Sequence, residues 1–499
     1  MYDQAIQILT DIEKRCDTNA LLYRGASYWP MCRQRLWVAL IQRLVLAQKA
    51  GEAAVSNAGP SWPDVGQVNA ELTGPPALGL LRAHKKKPSE TEPSFKPQAL
   101  FYLRPEEYAD KVAGGAFAKI LDSLYERAAL LGPATKIELA DPRTMGFPRL
   151  HPALFVHLEA ASRGVAFDPP GTLEGFQDVA TAVAGANVGI ALDHAGLMTD
   201  MGKIFYFARI FEKILRVMGP KALFLSVYYH PVGMGLMLAC RWTGVKSIDL
   251  QHGRLGPYEG RYTQMTAAPP GGYDLMPDAV WCWGAQTKHD IDVDKNPACA
   301  RHSGLIGGNP WIHKWRYGAA AGLEPAEAKD FAARTAGRRK ILVSLQPLES
   351  PIGAALLQAM QQSPPEWLWL LRLHPLRRHT APEIAAILKA AGVANAEIET
   401  PTALPLFSLL RIVEHHVTVF SSVTVEAAAF DLRTSLLGAE GPSTLAPQMK
   451  RGICRYTPTA ESLMDHVRDV LSGPRAPFED NFMEMSEGAV DRALGTILS

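Results

Sequence analysis

The sequence lacks paired cysteines and an excess of charge of either sign. Its six cysteines are scattered among 499 residues without a CxxC pair, so neither a disulfide framework nor a zinc knuckle is indicated, and a reducing compartment is expected. Lys and Arg number 51 against 50 Asp and Glu, which leaves a net charge of +1. This balance argues against a protein that binds nucleic acid through a broad basic surface.

Several motifs of cofactor use and catalysis are also absent. The sequence has no Walker lysine loop, no GxGxxG after an apolar run and no GxSxG elbow, so ATP use, NAD use and serine-hydrolase chemistry are not indicated. The acidic triplet Asp290-Ile-Asp-Val-Asp294 is predicted to be a surface charge cluster on a helix or loop. We therefore expect no metal site and no cofactor.

Long uncharged runs are rare. Residues 222–240 carry no formal charge, but His230-Pro231 interrupts this run and glycines follow. A buried strand, a turn and a buried helix explain the run better than a membrane span. The first residues do not contain a basic segment followed by an apolar one, so no secretory signal is expected.

Apolar periodicity divides the chain into four parts. Residues 1–98 predict a helical extension and a proline-rich linker. Residues 99–303 and 304–455 each alternate short apolar runs with helical patterns, which predicts two doubly wound parallel-sheet domains facing a cleft. Residues 456–499 predict two closing helices. The predicted fold class is therefore α/β, with two Rossmann-like domains and an N-terminal helical extension.

The carboxyl ends of the predicted strands are where ligands of open α/β sheets bind. In the first domain we predict strands at 99–103, 137–139, 188–192, 223–229, 247–250 and 279–283. In the second domain we predict strands at 340–345, 367–373, 396–399, 416–420 and 434–437. The residues just past each strand are therefore the candidates for a functional site.

One strand of the second domain ends in Arg372, His374 and Pro375. Proline stops a strand and fixes the backbone, and an imidazole there can bind a phosphate oxygen or act as an acid or base. Arg372 can add charge-assisted contacts. The alternative is a histidine that bonds a backbone carbonyl.

A second strand end runs directly into a predicted helix through Ser421 and Ser422. Free helix N–H groups beside hydroxyls form an anion site, and Glu426, one turn on, can bond ribose hydroxyls. Plain capping is the alternative for the serines, and a capping-box or solvent-facing role is the alternative for Glu426. With His374, these residues predict a nucleotide phosphate site.

Three further residues complete the donor-side prediction. Gly308 and Asn309 lie at the domain junction, where a flexible backbone can approach a ligand. Gln346 closes the first strand of the second domain. Ordinary turns are the alternative for all three.

In the first domain, a strand ends in Gln251-His252-Gly253, and Glu259 follows in a loop. A histidine beside a carboxylate can activate a hydroxyl, so we predict His252 and Glu259 as catalytic, with Asp122 on an early helix as a further candidate base. A structural histidine is the alternative. The predicted acceptor-side residues are Gln251, Tyr258 and Asp193.

These stretches, taken in order, resemble GT-B glycosyltransferases of bacterial capsule and lipopolysaccharide biosynthesis. The similarity is to the group with an HP motif and a serine pair, which includes capsule Kdo-transferases and bacterial sialyltransferases. The matching stretches are Ile248–Gly253, Leu305–Pro310, Leu371–Pro375 and Phe420–Ala427. The resemblance spans residues 99–455, and the sialyltransferase Asp/Glu-Asp/Glu-Gly signature has no match at a strand end.

The resemblance implies a metal-independent glycosyltransferase whose second domain holds a nucleotide-sugar and whose first domain holds the acceptor. The first-choice donor is a CMP-linked acidic sugar, which is a substrate and not a cofactor. The implied acceptor is a glycan or a lipid-linked glycan, and the implied protein partners are those of surface-polysaccharide assembly. The implied location is the cytoplasm, with at most peripheral contact with the inner membrane. The alternatives are a CDP-polyol phosphotransferase, a UDP-sugar epimerase and a non-catalytic GT-B subunit of a polysaccharide assembly system.

Overall fold

The computed structural model describes residues 2–53, 96–108, 110–112, 114–139, 148–156, 163, 165, 172–253, 255–318, 323–347, 352–478 and 482–499. Most of the proline-rich linker predicted within residues 1–98 lies outside these ranges.

The strands are β1 (Leu22–Tyr23), β2 (Ala26–Ser27), β3 (Ala99–Leu103), β4 (Asp110–Val112), β5 (Gly115–Phe117), β6 (Ala134–Glu138), β7 (Leu154–Phe155), β8 (Ala222–Leu225), β9 (Lys246–Leu250), β10 (Ala279–Cys282), β11 (Ser303–Ile306), β12 (Arg339–Ser344), β13 (Trp367–Arg372), β14 (Ala396–Glu397), β15 (His415–Thr418), β16 (Thr434–Leu436) and β17 (Cys454–Tyr456).

The α-helices are α1 (Tyr2–Arg15), α2 (Trp29–Ala53), α3 (Lys119–Leu131), α4 (Phe176–Gly185), α5 (His194–Met218), α6 (Pro231–Thr243), α7 (Ala285–Asp292), α8 (Pro310–Arg316), α9 (Ala326–Arg334), α10 (Ala354–Gln362), α11 (Ala381–Ala390), α12 (Glu399–Ala403), α13 (Leu406–Leu410), α14 (Val423–Ala428), α15 (Gly441–Thr444), α16 (Ala446–Lys450), α17 (Ala460–Ser472) and α18 (Ala489–Leu498).

The first sheet is parallel and has seven strands in the order β11-β10-β9-β8-β3-β6-β7. Counted from β3 as strand 1, the order is 7-6-5-4-1-2-3, which is the Rossmann order with one added edge strand. All five residues of β3 are buried, as expected for a strand covered on both faces. The order reverses between β3 and β8, and this switch point is where such sheets bind ligands.

The second sheet is parallel and has six strands in the order β14-β13-β12-β15-β16-β17. Counted from β12 as strand 1, the order is 3-2-1-4-5-6, again the Rossmann order, and its switch point lies between β12 and β15. The fold-class prediction is confirmed, because the chain forms the two doubly wound parallel-sheet domains of the GT-B architecture.

The N-terminal helices are an integral layer of the first domain. The apolar side chains spaced three or four apart on α1, such as Ile6 and Leu9, join the same buried core as α5 and α6. A buried ion pair of 2.8 Å joins Glu13 on α1 to Arg33 on α2. The predicted extension therefore packs on the sheet, because its apolar stripe needs a partner surface.

The two terminal helices pack on different domains. Helix α17 buries Leu463 and Val467 in the second domain, whereas α18 buries Val490 and Leu494 against the first sheet. The chain therefore crosses back to the first domain after α17. The predicted boundary at residue 303 needs correction as well, because β11 pairs with β10 and the first sheet extends to Ile306.

One predicted strand is absent and another is shorter than predicted, in both cases for a backbone reason. Residues 188–192 form no strand, because Asn187 and Gly189 adopt left-handed φ values of 53° and 64°. The strand predicted over 223–229 ends at Leu225, because Val227 has a φ of 66°. Left-handed residues cannot continue a strand. Within the described ranges, no helix has both the length and the apolar character needed to cross a membrane.

Candidate functional site

The first switch point contains a strained turn. Val227, just after β8, has a φ of 66°, which is rare for a β-branched residue and costs of order 1–3 kcal/mol. Gly233, in the first turn of α6, lies so close to the Tyr228 carbonyl that a Cβ there would collide with it. The chain therefore bends sharply between β8 and α6, and it places residues 226–230 at the carboxyl edge of the sheet.

His230 is the N-cap of α6, and its hydrogen bond fixes its tautomer. The backbone N–H of Gly233 donates to Nδ1 at 3.2 Å, so the neutral ring carries its proton on Nε2. Burial, assisted by the nearby charge of Arg104, lowers the pKa of His230 to about 4. Among the described residues, no hydrogen bond of normal geometry reaches the buried Nε2 atom, although the backbone of Val227 lies near enough to raise the pKa of the ring. His230 therefore presents an N–H donor that is at most weakly used.

Arg104 follows β3 on the other side of the switch point. Its Nη2 atom lies 3.4 Å from Glu107 Oε1, while the Glu107 carboxylate also accepts from the Arg104 backbone N–H at 2.9 Å. The buried Nε atom of Arg104 has no hydrogen-bond partner within the described part of the chain. Burial raises the pKa of Glu107 to about 7, so near neutral pH this carboxyl is a weak counter-ion.

Asp249, on β9, is a fully buried carboxyl with one unused oxygen. Tyr262 donates its hydroxyl to Oδ2 at 2.7 Å, and burial raises the pKa of Asp249 to about 7. The backbone of Val227 lies near enough to shift the pKa values of both Asp249 and His230. Even so, no hydrogen bond of normal geometry reaches Asp249 Oδ1 from the described residues. Counted over the described residues, the switch point thus holds three polar atoms without a hydrogen bond of normal geometry, which is unusual for a buried region.

His252 lies just past β9 and keeps a ring nitrogen for proton acceptance. Its Nδ1 is 3.4 Å from the Leu250 carbonyl, which can only accept, and its Nε2 is 3.3 Å from the Tyr229 hydroxyl. The proton therefore sits on Nδ1, and Nε2 accepts. Burial lowers the pKa of His252, so the ring is neutral at neutral pH.

Glu259 is bound to Arg261. Arg261 Nε donates to the Glu259 carboxylate, and its guanidinium lies over the rings of Tyr229 at 4.1 Å and Trp37 at 4.7 Å. Trp37 belongs to α2, so the N-terminal helices help to build this site. Because its charge is already paired, Glu259 is a weaker base candidate than His252.

Two predictions in the first domain need correction. Asp122 is fully buried, where Lys136 Nζ donates to it at 2.5 Å and the Ala118 N–H at 2.8 Å. It is a structural ion-pair residue and cannot reach an acceptor hydroxyl. Gln251 is buried and uses both ends of its amide on the backbone of Gly253 and Trp283.

Tyr258 and Asp193 are both exposed. The structure therefore leaves them available as acceptor-side residues, and their roles stay predictions.

At the second switch point, the serine pair follows β15 as predicted. The Val423 N–H donates to Ser421 Oγ at 3.3 Å, and Ser422 is exposed. The side chain of Gln346 accepts from the Phe420 N–H at 2.8 Å. Gln346 therefore ties the ends of β12 and β15 together through its side-chain oxygen, and its role as a ligand contact stays a prediction.

His374 lies past the end of β13 and caps the 3-10 helix Pro375–Thr380. The Leu376 N–H donates to its Nδ1 at 3.3 Å. Since Nδ1 accepts, the neutral ring carries its proton on Nε2, the atom that faces away from the cap. His374 is half-buried and Pro375 is exposed, so the imidazole is open to a ligand.

Arg372 differs from its predicted role, whereas the predicted role of Glu426 stays a prediction. Arg372 Nη1 donates to the carbonyls of Pro401, at 2.7 Å, and Leu404, so this guanidinium holds a neighbouring loop and is not a free phosphate ligand. Burial raises the pKa of Glu426 to about 7, against the opposing charges of Lys119 and Arg372. Because Lys119 begins α3, the Glu426 carboxyl lies near the first domain.

Gly308 and Asn309 have structural roles, which corrects their prediction as donor contacts. Trp281 Nε1 donates to the Gly308 carbonyl at 2.7 Å. The Asn309 side chain is buried and caps α8 by accepting from the N–H groups of Trp311 and Ile312.

Sequence reasoning missed Arg104, Val227, His230 and Asp249 as site residues. A usable signal was present, because His230-Pro231 repeats after β8 the dipeptide that follows β13. Asp249, inside a strand, carried no signal. Over the described residues, no group of three or more His, Cys, Asp or Glu side chains is arranged to hold a metal ion.

Comparison with known proteins finds similar solved structures. No protein family model matches the sequence, and no curated protein matches it. The UDP-GlcNAc 2-epimerase from Neisseria meningitidis, solved with UDP-GlcNAc bound, is 10% identical, with 81% of this chain and 99% of that chain covered and a TM-score of 0.49.

Two further structures are similar. The UDP-GlcNAc 2-epimerase from Methanocaldococcus jannaschii is 11% identical over 80% of this chain and 99% of that chain, with a TM-score of 0.49. The glycotransferase of kitacinnamycin is 13% identical over 81% of this chain and 94% of that chain, with a TM-score of 0.39. The fold follows from the two sheets themselves, and these similarities assign no activity to the chain.

Proposed function

We propose that the chain is a metal-independent glycosyltransferase of the GT-B type, which moves a sugar from a nucleotide donor to a hydroxyl of a bacterial surface glycan. The observation that carries the proposal is the pair His252 and Tyr229 at the first-domain switch point. The imidazole is neutral, its Nε2 accepts, and a hydroxyl already lies 3.3 Å from that atom. A sugar hydroxyl in the same position would be activated for attack.

In the proposed reaction, His252 Nε2 takes the proton of the acceptor hydroxyl while its oxygen attacks the anomeric carbon. The bond between that carbon and the nucleotide phosphate breaks, and the phosphate leaves with the electron pair. The hydrogen bond from Nδ1 to the Leu250 carbonyl keeps the ring in the accepting tautomer and stabilises the imidazolium that forms.

The leaving phosphate is assigned to the second domain. His374 can donate Nε2–H to a phosphate oxygen, and Ser421 and Ser422 offer hydroxyls beside the β15 switch point. Such preorganised donors stabilise a leaving phosphate electrostatically. Glu426, with its pKa raised to about 7, can bond ribose hydroxyls without bringing a full negative charge close to the phosphate.

An acidic sugar, CMP-linked as the first choice, is supported by the charge of the first switch point. Arg104 and His230 offer two N–H donors without a hydrogen bond of normal geometry in the described structure, Arg104 Nε and His230 Nε2. Glu107 is weakly ionised, and the second carboxylate beside the guanidinium, Glu106, is exposed and lies 3.7 Å from Arg104 Nη1, so the charge of Arg104 is only partly balanced. A carboxylate on the sugar would satisfy both donors and the charge.

Epimerisation of a UDP-sugar is the second candidate, and one observation favours it. Asp249 has a pKa raised to about 7. It is linked to His252 through two tyrosines, because Tyr262, which donates to Asp249, packs on Tyr229, the partner of His252. A proton donor and a proton acceptor therefore belong to one chain of contacts. An epimerase needs both at one sugar carbon. A transferase needs only the acceptor.

Nucleotide binding is the first test. Thermal unfolding of the full chain with CMP, CDP, UDP and GDP ranks the donors, since a ligand at about 100 times its Kd adds about 2.7 kcal/mol of stability. We expect CMP to give the largest shift and His374→Ala to abolish it. The matched control is His379→Ala, an exposed histidine on the same 3-10 helix, which should leave the shift intact. An unchanged shift in His374→Ala would refute the donor site.

Product mass then identifies the reaction. Incubation with nucleotide-sugars and extracted surface glycan should add one sugar mass to the glycan. A changed sugar without acceptor would establish the epimerase, and addition of a polyol phosphate from a CDP-linked donor would establish the phosphotransferase. Nucleotide binding without turnover of any donor would favour a non-catalytic subunit of a polysaccharide assembly system.

A further inference from the structure

A cavity of about 450 Å³ lies at the amino end of the second sheet. Arg339 begins β12, Glu414 precedes β15 and Arg433 precedes β16, and all three line it together with α17 and the segment that follows. His374 and Ser421 lie past the opposite, carboxyl ends of the strands. The cavity is therefore separate from the proposed donor site.

Three arginines line this cavity, namely Arg339, Arg433 and Arg475. The hydrogen bonds that the structure gives them run to backbone carbonyls, those of Leu471, Gly452, Val413 and Phe430. A carbonyl fixes the position of a guanidinium but does not neutralise its charge. Burial lowers the pKa of Arg475, which indicates a poorly hydrated cation.

Carboxylates also line the cavity, and each has a partner. Glu414 accepts from the Lys340 N–H at 2.7 Å, and Asp431 pairs with Arg316 at 2.6 Å. Asp469 lies 3.7 Å from Arg455. Neither Lys340, Arg316 nor Arg455 belongs to the cavity lining. Asp431 and Asp469 therefore have cationic partners outside the lining, whereas the partner of Glu414 is a neutral backbone amide. Asp431 and Glu414 also act on Arg475 and raise its pKa against the effect of burial, so the carboxylates cancel part of the arginine charge.

His466 adds a neutral donor to the same wall. Its Nδ1 lies 2.8 Å from Ser435 Oγ, which lies 2.9 Å from His415 Nε2. His415 Nδ1 is buried and has no partner among the described residues. A buried lone pair left unpaired costs less than a buried N–H, so the favoured chain runs from His415 N–H through the serine hydroxyl to His466 Nδ1. His466 then carries its own proton on Nε2, and burial lowers its pKa to about 4.

We propose that this cavity binds a small phosphate-bearing anion of about the size of a sugar phosphate. Guanidinium groups and an imidazole N–H are the donors that bind phosphate oxygens best, and the volume leaves room for an organic group beside the phosphate. The anion bridges Arg433, at the sheet, and Arg475, on the segment through which the chain returns to the first domain.

The test is isothermal titration of the full chain with glucose 6-phosphate, with inorganic phosphate as a second probe and glucose as the uncharged control. We expect saturable binding of glucose 6-phosphate and none of glucose. Arg433→Gln should weaken binding at least about tenfold, and Arg433→Lys, which keeps the charge, should weaken it less. The matched control is Arg468→Gln on α17, whose guanidinium pairs with Asp465 and does not line the cavity.

Two further arms separate this site from the donor site. His374→Ala and saturating CMP should both leave the Kd for glucose 6-phosphate unchanged. The proposal is wrong if neither anion binds, if Arg433→Gln and Arg433→Lys both bind as the parent chain does, or if CMP displaces the sugar phosphate. Thermal unfolding of each free variant confirms that it folds. Because the proposal is independent of the glycosyltransferase assignment, either can fail alone.

Discussion

The hydroxyl of Tyr229 lies 3.3 Å from Nε2 of His252, at the carboxyl edge of the first sheet. The covering guanidinium of Arg261 holds the tyrosine ring at a centroid distance of 4.1 Å. Tyr229 therefore occupies the position that a substrate hydroxyl would take at the proposed base. It also keeps the imidazole aligned when no substrate is bound.

His252→Gln should lower kcat by about 10²–10⁴, the usual contribution of a general base, while nucleotide binding stays within about twofold. Because burial lowers the pKa of His252 below its ordinary 6.5, the base stays unprotonated into mildly acidic solution. The acidic limb of the pH–rate profile should therefore lie below pH 6.5 and disappear in the variant. Tyr229→Phe is the control and should keep most of kcat. If His252→Gln kept the full kcat, His252 would not be the general base.

Arg104→Gln should impair the use of an acidic sugar more than that of a neutral one. Loss of a charge-assisted bond costs about 1.5–3 kcal/mol, or about 10–100-fold in kcat/KM for a carboxylate-bearing donor. Steady-state rates with matched acidic and neutral sugar nucleotides measure the difference. Equal losses for both donors would show that Arg104 does not bind the sugar carboxylate.

Asp122→Asn should destabilise the protein without changing its chemistry. The variant leaves Lys136 buried and without its counter-ion, which typically costs about 3–5 kcal/mol. Denaturant unfolding measures this loss, and activity is compared at a temperature where both proteins are folded. Asp465→Asn, at an exposed ion pair with Arg468, should cost less than about 1 kcal/mol. A large kcat loss in folded Asp122→Asn would restore its candidacy as the base.

Buried His416 should lower the free energy of unfolding in acid. Burial lowers its pKa to about 3 in the folded protein, whereas the unfolded chain titrates near 6.5. As the pH falls, the unfolded chain therefore binds the proton first. Each pH unit below about 6.5 lowers the free energy of unfolding by about 1.4 kcal/mol. Denaturant unfolding should show that the parent chain loses about 2 kcal/mol more than His416→Gln between pH 7.5 and 5.0. His379→Gln, at an exposed site, should behave as the parent does.

Much of the fold could be predicted from local pattern. The runs at 99–103, 340–345 and 367–373 are strands within one residue at each end, because parallel strands buried on both faces must be continuously apolar. His374 and Ser421 also lie where predicted, since a proline or a helix start marks the end of a strand. The strand predicted at residues 188–192 was wrong, because the left-handed backbone of Asn187 and Gly189 prevents a strand despite the apolar composition of this run.

The sequence by itself determined the two alternating α/β sets, the HP and serine strand ends and the lack of a broad charged surface. Only the tertiary structure decided which polar residues are free to act. Asp122, Gln251 and Gln346 bond partners from other segments of the fold, and Asn309 caps its own helix. Arg104, His230 and Asp249 instead keep atoms without hydrogen-bond partners among the described residues at one switch point. The physical reason is that strand periodicity is a local property. Hydrogen-bond satisfaction depends on contacts between distant segments, which the crossover connections of the sheet bring together.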